Sequence, residues 1–207
     1  MEKKRIAGTV RNKERTKQKL LDAVGELLHT KGFAGLKVND IARTAGLDKK
    51  LIYTYFGGCD ELIDEYVRTQ DFWSNVTEED AGPIPADGGK TFTKAMLSSQ
   101  FDQVYQNKEL QRILLWGLLE DRPSLKKLAQ DREDVGTVLF KHLTDPHFGD
   151  QAERFRAVTA LLISGIYYLD IYATTNDATF CGLDLKSDSG RARIKEALSF
   201  LIDKTYE

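Results

Sequence analysis

Cysteine is scarce in this chain of 207 residues: Cys59 and Cys181 are its only two. That is too few for a disulfide-stapled scaffold and points to a reducing, cytoplasmic setting. Long apolar runs are also missing. The longest near-continuous one, residues 160–169, contains Ser164 and falls short of the roughly 20 residues a membrane-spanning helix needs. No apolar segment follows Lys3, Lys4 and Arg5, so neither a secretory signal nor a membrane partner is expected. No segment alternates apolar and polar residues between turn signals, which argues against strands, and no repeat of 20–50 residues stands out. Catalytic signatures are absent as well: there is no Gly-rich phosphate loop, G-x-S-x-G, H-E-x-x-H or C-x-x-C. His142 and His147 lie near Asp145 and Asp150, but their spacing matches no metal site and suits a turn. The expectation is therefore no enzyme, no metal and no cofactor.

What is present is ordinary in amount but uneven in placement. Charged residues make up 30% and hydrophobic residues 41%, the balance of a globular protein. The net charge of −2 hides a polarity: residues 1–58 hold 13 Lys/Arg against 6 Asp/Glu, whereas residues 59–207 hold 17 against 26. A basic head on an acidic body points the head at a polyanion. Residues 1–11 have little apolar content and read as a mobile basic arm able to reach phosphates or a minor groove.

The stretch 37–56, KVNDIARTAGLDKKLIYTYF, organises the rest. Val38, Ile41, Ala42 and Ala45 recur at helical spacing and form one apolar stripe. Gly46 ends that helix and Asp48 caps a second, which carries Leu51, Ile52 and Phe56 toward a core. Lys49, Lys50, Tyr53 and Thr54 are left facing out. A first helix over residues 12–30, with Leu20, Val24 and Leu27 as its stripe, supports the pair and brings Arg15 and Lys17 near a backbone. Two short helices joined by a tight Gly turn, with cations and hydroxyls outside, make a helix-turn-helix. Lys37 cannot accept backbone N–H bonds as a cap but can reach a phosphate, and Asn39 suits an adenine edge. Lys49 and Lys50 suit guanine O6 and N7 or phosphate, and Thr54 suits a thymine methyl.

This segment resembles the DNA-binding region of TetR-type transcriptional regulators. The likeness rests on Ile41-Ala42, Ala45-Gly46-Leu47 and Ile52-Tyr53-Thr54-Tyr55-Phe56, preceded by Asp22-Ala23, Glu26-Leu27-Leu28 and Lys31-Gly32-Phe33; it runs from about residue 19 to residue 62. Tyr53 and Tyr55 correspond to phosphate contacts of that family. Lys37 stands where the family has Thr or Ser, and Cys59 where it has a phosphate-gripping Lys. The DNA-contacting set is accordingly Lys37, Val38, Asn39, Lys49, Lys50, Leu51, Tyr53, Thr54 and Tyr55.

The remaining two thirds read as helices. A fourth helix runs from about residue 60 to 73, and Pro83, Pro85, Gly82, Gly88 and Gly89 mark a loop over 77–89. Further helices are expected over 90–107 and 108–120, then one capped by Ser124, a turn at Asp145-Pro146-His147, one from Asp150 to about Ala173, and a last one from Asp188. The predicted fold class is all-α: an N-terminal three-helix helix-turn-helix domain, residues 1–58, and a C-terminal helical ligand-binding and dimerisation domain, residues 59–207.

The resemblance implies a repressor released from its operator by a small-molecule inducer. Phe101, Tyr105, Trp116, Tyr167, Tyr168 and Tyr172 are the candidate pocket walls, with tyrosine hydroxyls to orient a ligand. Residues 160–169 are apolar on all sides, which calls for cover on all sides. With the last helix they suggest a homodimer through Leu162, Ile166, Ile194, Leu198, Leu201 and Ile202, placing two heads on a palindromic double-stranded operator. The alternative is a helical protein-interaction module that no longer reads DNA, favoured by the departures at Lys37 and Cys59.

Overall fold

A computed structural model describes residues 2–70, 85–176 and 179–207, with residues 2–11 and 70 as backbone alone. The elements are helices α1 (Glu2–Lys31), α2 (Val38–Ala45), α3 (Lys50–Phe56), α4 (Cys59–Gln70), α5 (Lys90–Gln106), α6 (Lys108–Leu119), α7 (Pro123–Leu139), α8 (Asp145–Phe148), α9 (Ala152–Thr175) and α10 (Asp188–Thr205). Among the described residues there is no strand, only a single bridge between Phe180 and Leu183. The all-α class is as expected.

The chain forms two compact units, Met1–Asp71 with Arg112–Ala129, and Phe72–Gln111 with Gln130–Glu207. In the first unit, Leu20, Ala23, Val24, Leu27 and Leu28 of α1 are buried with Ile41, Ile52, Leu62, Ile63, Tyr66 and Val67. These are the positions that recur every three or four residues, so burial follows the helical period. The core is completed from far along the chain by Ile113, Trp116, Leu125 and Leu128. Trp116 is fully buried and stacks on Phe33 at 4.2 Å. Arg112 donates to the Leu28 carbonyl at 3.1 Å, and Arg122 pairs with Asp60 while lying 4.9 Å above the Trp116 ring. Residues 2–11 are not a separate arm but the start of α1. They contain no proline, and their Lys, Arg, Glu and Ala residues favour a helix strongly enough to carry it through Gly8, Thr9 and Val10.

The second unit centres on Leu97, Phe101, Phe155, Ile166, Leu198 and Ile202, where α5, α9 and α10 meet. Most of the loop predicted over 77–89 lies outside the described residues; residues 85–89 form a turn leading into α5. Three expected boundaries differ. α7 begins at Pro123, which needs no N–H in a first turn, and Ser124 is buried with an unpartnered hydroxyl instead of capping. The expected turn at Asp145-Pro146-His147 is helical: a π-helical stretch, residues 140–144, runs from α7 into α8, and Pro146 fits the first turn of α8. The break falls instead at Gly149, whose φ of 52° favours glycine. α9 then starts after Gln151, not Asp150. For α10 the cap is Ser187, accepting from the Gly190 N–H at 3.1 Å.

A buried ionic cluster ties the three helices of this unit. Arg191 donates to Asp170 at 2.9 Å and to the Phe101 carbonyl at 2.8 Å. Its guanidinium carbon lies 3.8 Å from the Phe101 ring centre and 4.0 Å from that of Tyr105. Asp102 receives Lys195 and, at 3.4 Å, Arg191. Asp170 is wholly buried and its Oδ2 has no partner; burial pushes its pKa up to about 7 despite the Arg191 hydrogen bond and charge.

Candidate nucleic-acid interface

The interface is built by a turn that the sequence specifies atom by atom. Gly46 closes α2 at φ 65°, its N–H reaching the Arg43 carbonyl, while the Leu47 N–H reaches the Ala42 carbonyl at 3.0 Å. That double bond is a Schellman motif, and it needs a residue free of the Cβ penalty at the glycine. Asp48 then accepts the Lys50 N–H at 2.8 Å and so starts α3. Gly57, at φ 96°, ends α3 after seven residues.

With Ile52 buried beneath, α3 presents Lys49, Lys50, Tyr53 and Thr54 to solvent. Tyr53 is 55% exposed, and the Thr54 hydroxyl donates to the Lys50 carbonyl at 2.9 Å. Lys37 and Asn39 are exposed at the start of α2, and no side chain caps that helix, as a lysine there requires. Val38 and Leu51 are half-buried against the core, and Tyr55 is half-buried. No acidic residue lies within α3, and the acid nearest to it in sequence, Asp48, is engaged in capping. The surface therefore offers ammonium and hydroxyl donors to an anionic partner.

Beside α3 runs a row of cations from α1. Lys17 lies 5.3 Å from the Phe56 ring centre and Lys13 lies 6.0 Å from that of Tyr55. Sequence reasoning singled out Lys17 and missed Lys13. The signal was there: a residue four before Lys17 shares its helix face. Cys59 opens α4 and is half-buried, its thiol 4.0 Å from the Leu36 carbonyl. Burial, then the Asp60 charge, pushes the thiol pKa up, so the thiol stays protonated and supplies no anchoring charge.

Residues 20–66, which span these elements, match the family described as bacterial regulatory proteins, tetR family. Over those residues the chain carries the DNA-binding region of TetR-type transcriptional regulators. It is similar to an uncharacterized HTH-type transcriptional regulator in the lacX 3'region of Lactococcus lactis subsp. lactis, 25% identical over 164 residues that cover 74% of this chain and 75% of that one. Its fold is similar to the crystal structure of a transcriptional regulator (TerR/AcrR family) from Aquifex aeolicus VF5, with a TM-score of 0.61, 22% identity, and coverage of 92% of this chain and 99% of that one.

The six aromatic candidates for a pocket do not form one wall. Trp116 belongs to the core of the first unit. Phe101 and Tyr105 flank the Arg191 guanidinium, and the Tyr167 hydroxyl accepts from Gln100 at 2.6 Å. Tyr168 is exposed and, with Tyr172, contacts Phe180.

The candidate dimer residues also separate. Ile166, Leu198 and Ile202 are buried in their own unit, and Leu162 and Ile194 pack against that core, leaving only Leu201 exposed. The large apolar side chains facing out from α9 and α10 are Leu161, Tyr168, Phe200 and Leu201. On α9 the outward face lies one residue away from the one expected: Leu161 in place of Leu162. A helix apolar on all sides gives no rotational cue, so the sequence could not say which side packs inward.

Proposed function

We propose that this regulator is a repressor that binds a palindromic operator as a homodimer and leaves it when a small molecule binds within residues 59–207. The observation that carries the DNA part is the donor surface of Lys37, Asn39, Lys49, Lys50, Tyr53 and Thr54, exposed over a fully packed core. Lys49 and Lys50 sit at the N-terminal end of α3, the end that enters a major groove first, and read guanine or bind phosphate. Tyr53 and Tyr55 give hydroxyls to phosphates, Thr54 meets a thymine methyl, and Val38 and Leu51 line the apolar edge of the surface. Lys13 and Lys17 take the phosphate role that Cys59 cannot.

Pairing rests on the outward face of α9 and α10. Only 22% of the most apolar part of the helical stretch 123–175 is buried within the chain. Leu161, Tyr168, Phe200 and Leu201 on that face are the large apolar groups that a second copy would cover. The division of roles is drawn at residues 58 and 59. Packing divides the chain elsewhere, with α4 and residues 112–129 in the first unit.

The test is fluorescence anisotropy on sequences selected from a random duplex pool, at two salt concentrations. For about 6–10 phosphate contacts, affinity falls about 10³–10⁵-fold between about 50 and 200 mM salt. Absent or salt-independent binding across the pool would reject the regulator reading in favour of a protein-interaction module.

A further inference from the structure

In the second unit a cavity of 460 Å³ lies beside the N-terminal half of α9 and the end of α10. Its apolar lining is Phe148, Phe155 and Val158, and the two phenyl rings stack at 4.2 Å. Its polar lining includes Gln151, Arg154, Lys204 and Glu207. Lys204 and Glu207 neutralise one another at 2.6 Å. Among the described residues no hydrogen bond or ion pair engages Arg154, so its guanidinium donors are open to a ligand.

That combination selects a ligand. A cation would face Arg154, and the Glu207 side chain is already paired with Lys204. A bare inorganic anion would leave the apolar lining unused. A neutral apolar molecule would leave the guanidinium without a partner. A carboxylate on an apolar body uses both sides: the planar Arg154 fork matches two carboxylate oxygens, and the Gln151 amide adds a donor. The volume lies within the range of about 300–1,000 Å³ usual for small-molecule sites. We propose that this cavity binds a small organic carboxylate, its acid group held by Arg154 and Gln151 and its body against Phe148, Phe155 and Val158. None of the six aromatic candidates read from the sequence lines it. The inference rests on the reading of residues 59–207 as ligand-binding.

Isothermal titration calorimetry on the full chain without DNA tests it, using phenylacetate and octanoate with phenylacetamide and octanamide as uncharged counterparts. At least one acid binds, and its amide, which cannot form the charge-assisted pair, binds about tenfold or more weakly. Arg154→Ala, at an exposed position, loses about tenfold or more for the acid. Arg154→Lys retains part of the affinity. Arg193→Ala, outside the cavity, changes nothing. If neither acid binds at millimolar concentration, if acid and amide bind equally, or if Arg154→Ala binds as wild type does, the proposal is wrong. Because DNA is absent, failure here bears on the cavity alone; failure of the salt-dependent DNA titration bears on the regulator reading.

Discussion

Asp170→Asn should remove a pH dependence of stability that the fold builds into the second unit. Asp170 is wholly buried, its Oδ1 accepting from Arg191 and its Oδ2 without a partner, and its pKa is raised from 3.8 to about 7, burial being the leading cause. Arg191 and Lys195 on α10 pull it down and Asp102 on α5 pushes it up, but desolvation outweighs them. A raised folded pKa means that the folded chain holds its proton where the unfolded chain has released it. The resulting stabilisation is complete below the unfolded pKa and is lost as pH rises through the folded one. At about 1.4 kcal/mol per pKa unit, the loss amounts to a few kcal/mol between about pH 4 and about pH 7. Asparagine keeps an acceptor for Arg191 and cannot ionise. Calorimetric unfolding of the full chain at several pH values reads the difference: wild type loses stability relative to Asp170→Asn on going from pH 5 to pH 8. Other groups titrate in both proteins and cancel. Parallel curves would show that the Arg191 pair, not burial, governs this carboxyl.

Three further outcomes follow from the same geometry. Lys50→Ala should weaken DNA binding across all sequences and lower the salt slope by about one, or relax the preference at one base pair, according to whether Lys50 holds phosphate or guanine; anisotropy with circular dichroism as a fold control decides. Leu161→Glu with Phe200→Glu, both exposed and outside the core, should give folded monomers by sedimentation that keep only weak, salt-sensitive DNA binding, whereas a wild type already monomeric at micromolar concentration would refute the pairing. Cys181, exposed to solvent, should react with a thiol reagent at neutral pH well before Cys59, whose thiol is half-buried and held protonated; equal rates measured by mass spectrometry would contradict that placement.

The helix-turn-helix was legible because every device in it is local. Ile41 and Ala42 share a helix face, Gly46 satisfies one residue's φ, and Asp48 caps two residues ahead, so neighbours along the chain suffice to specify the turn and the outward set of α3. The same locality explains the boundaries that moved. A capping serine and an Asp-Pro pair are signals of probability, and packing overrode both: Ser124 is buried in place, and Pro146 fits a helical first turn.

What only tertiary structure decided concerns residues far apart in sequence. Trp116 reads as a pocket aromatic because nothing near it in sequence mentions Phe33, yet the two rings stack in the first unit. Arg191 has no signal in its own stretch of sequence, because the groups that close around it are Asp170, 21 residues earlier, and Phe101, 90 residues earlier. For residues 160–169 of α9, apolar on every side, sequence alone led to the expectation of cover all round. It could not rank Leu161 against Leu162, because adjacent positions of equal hydrophobicity are separated only by where the neighbouring helices lie.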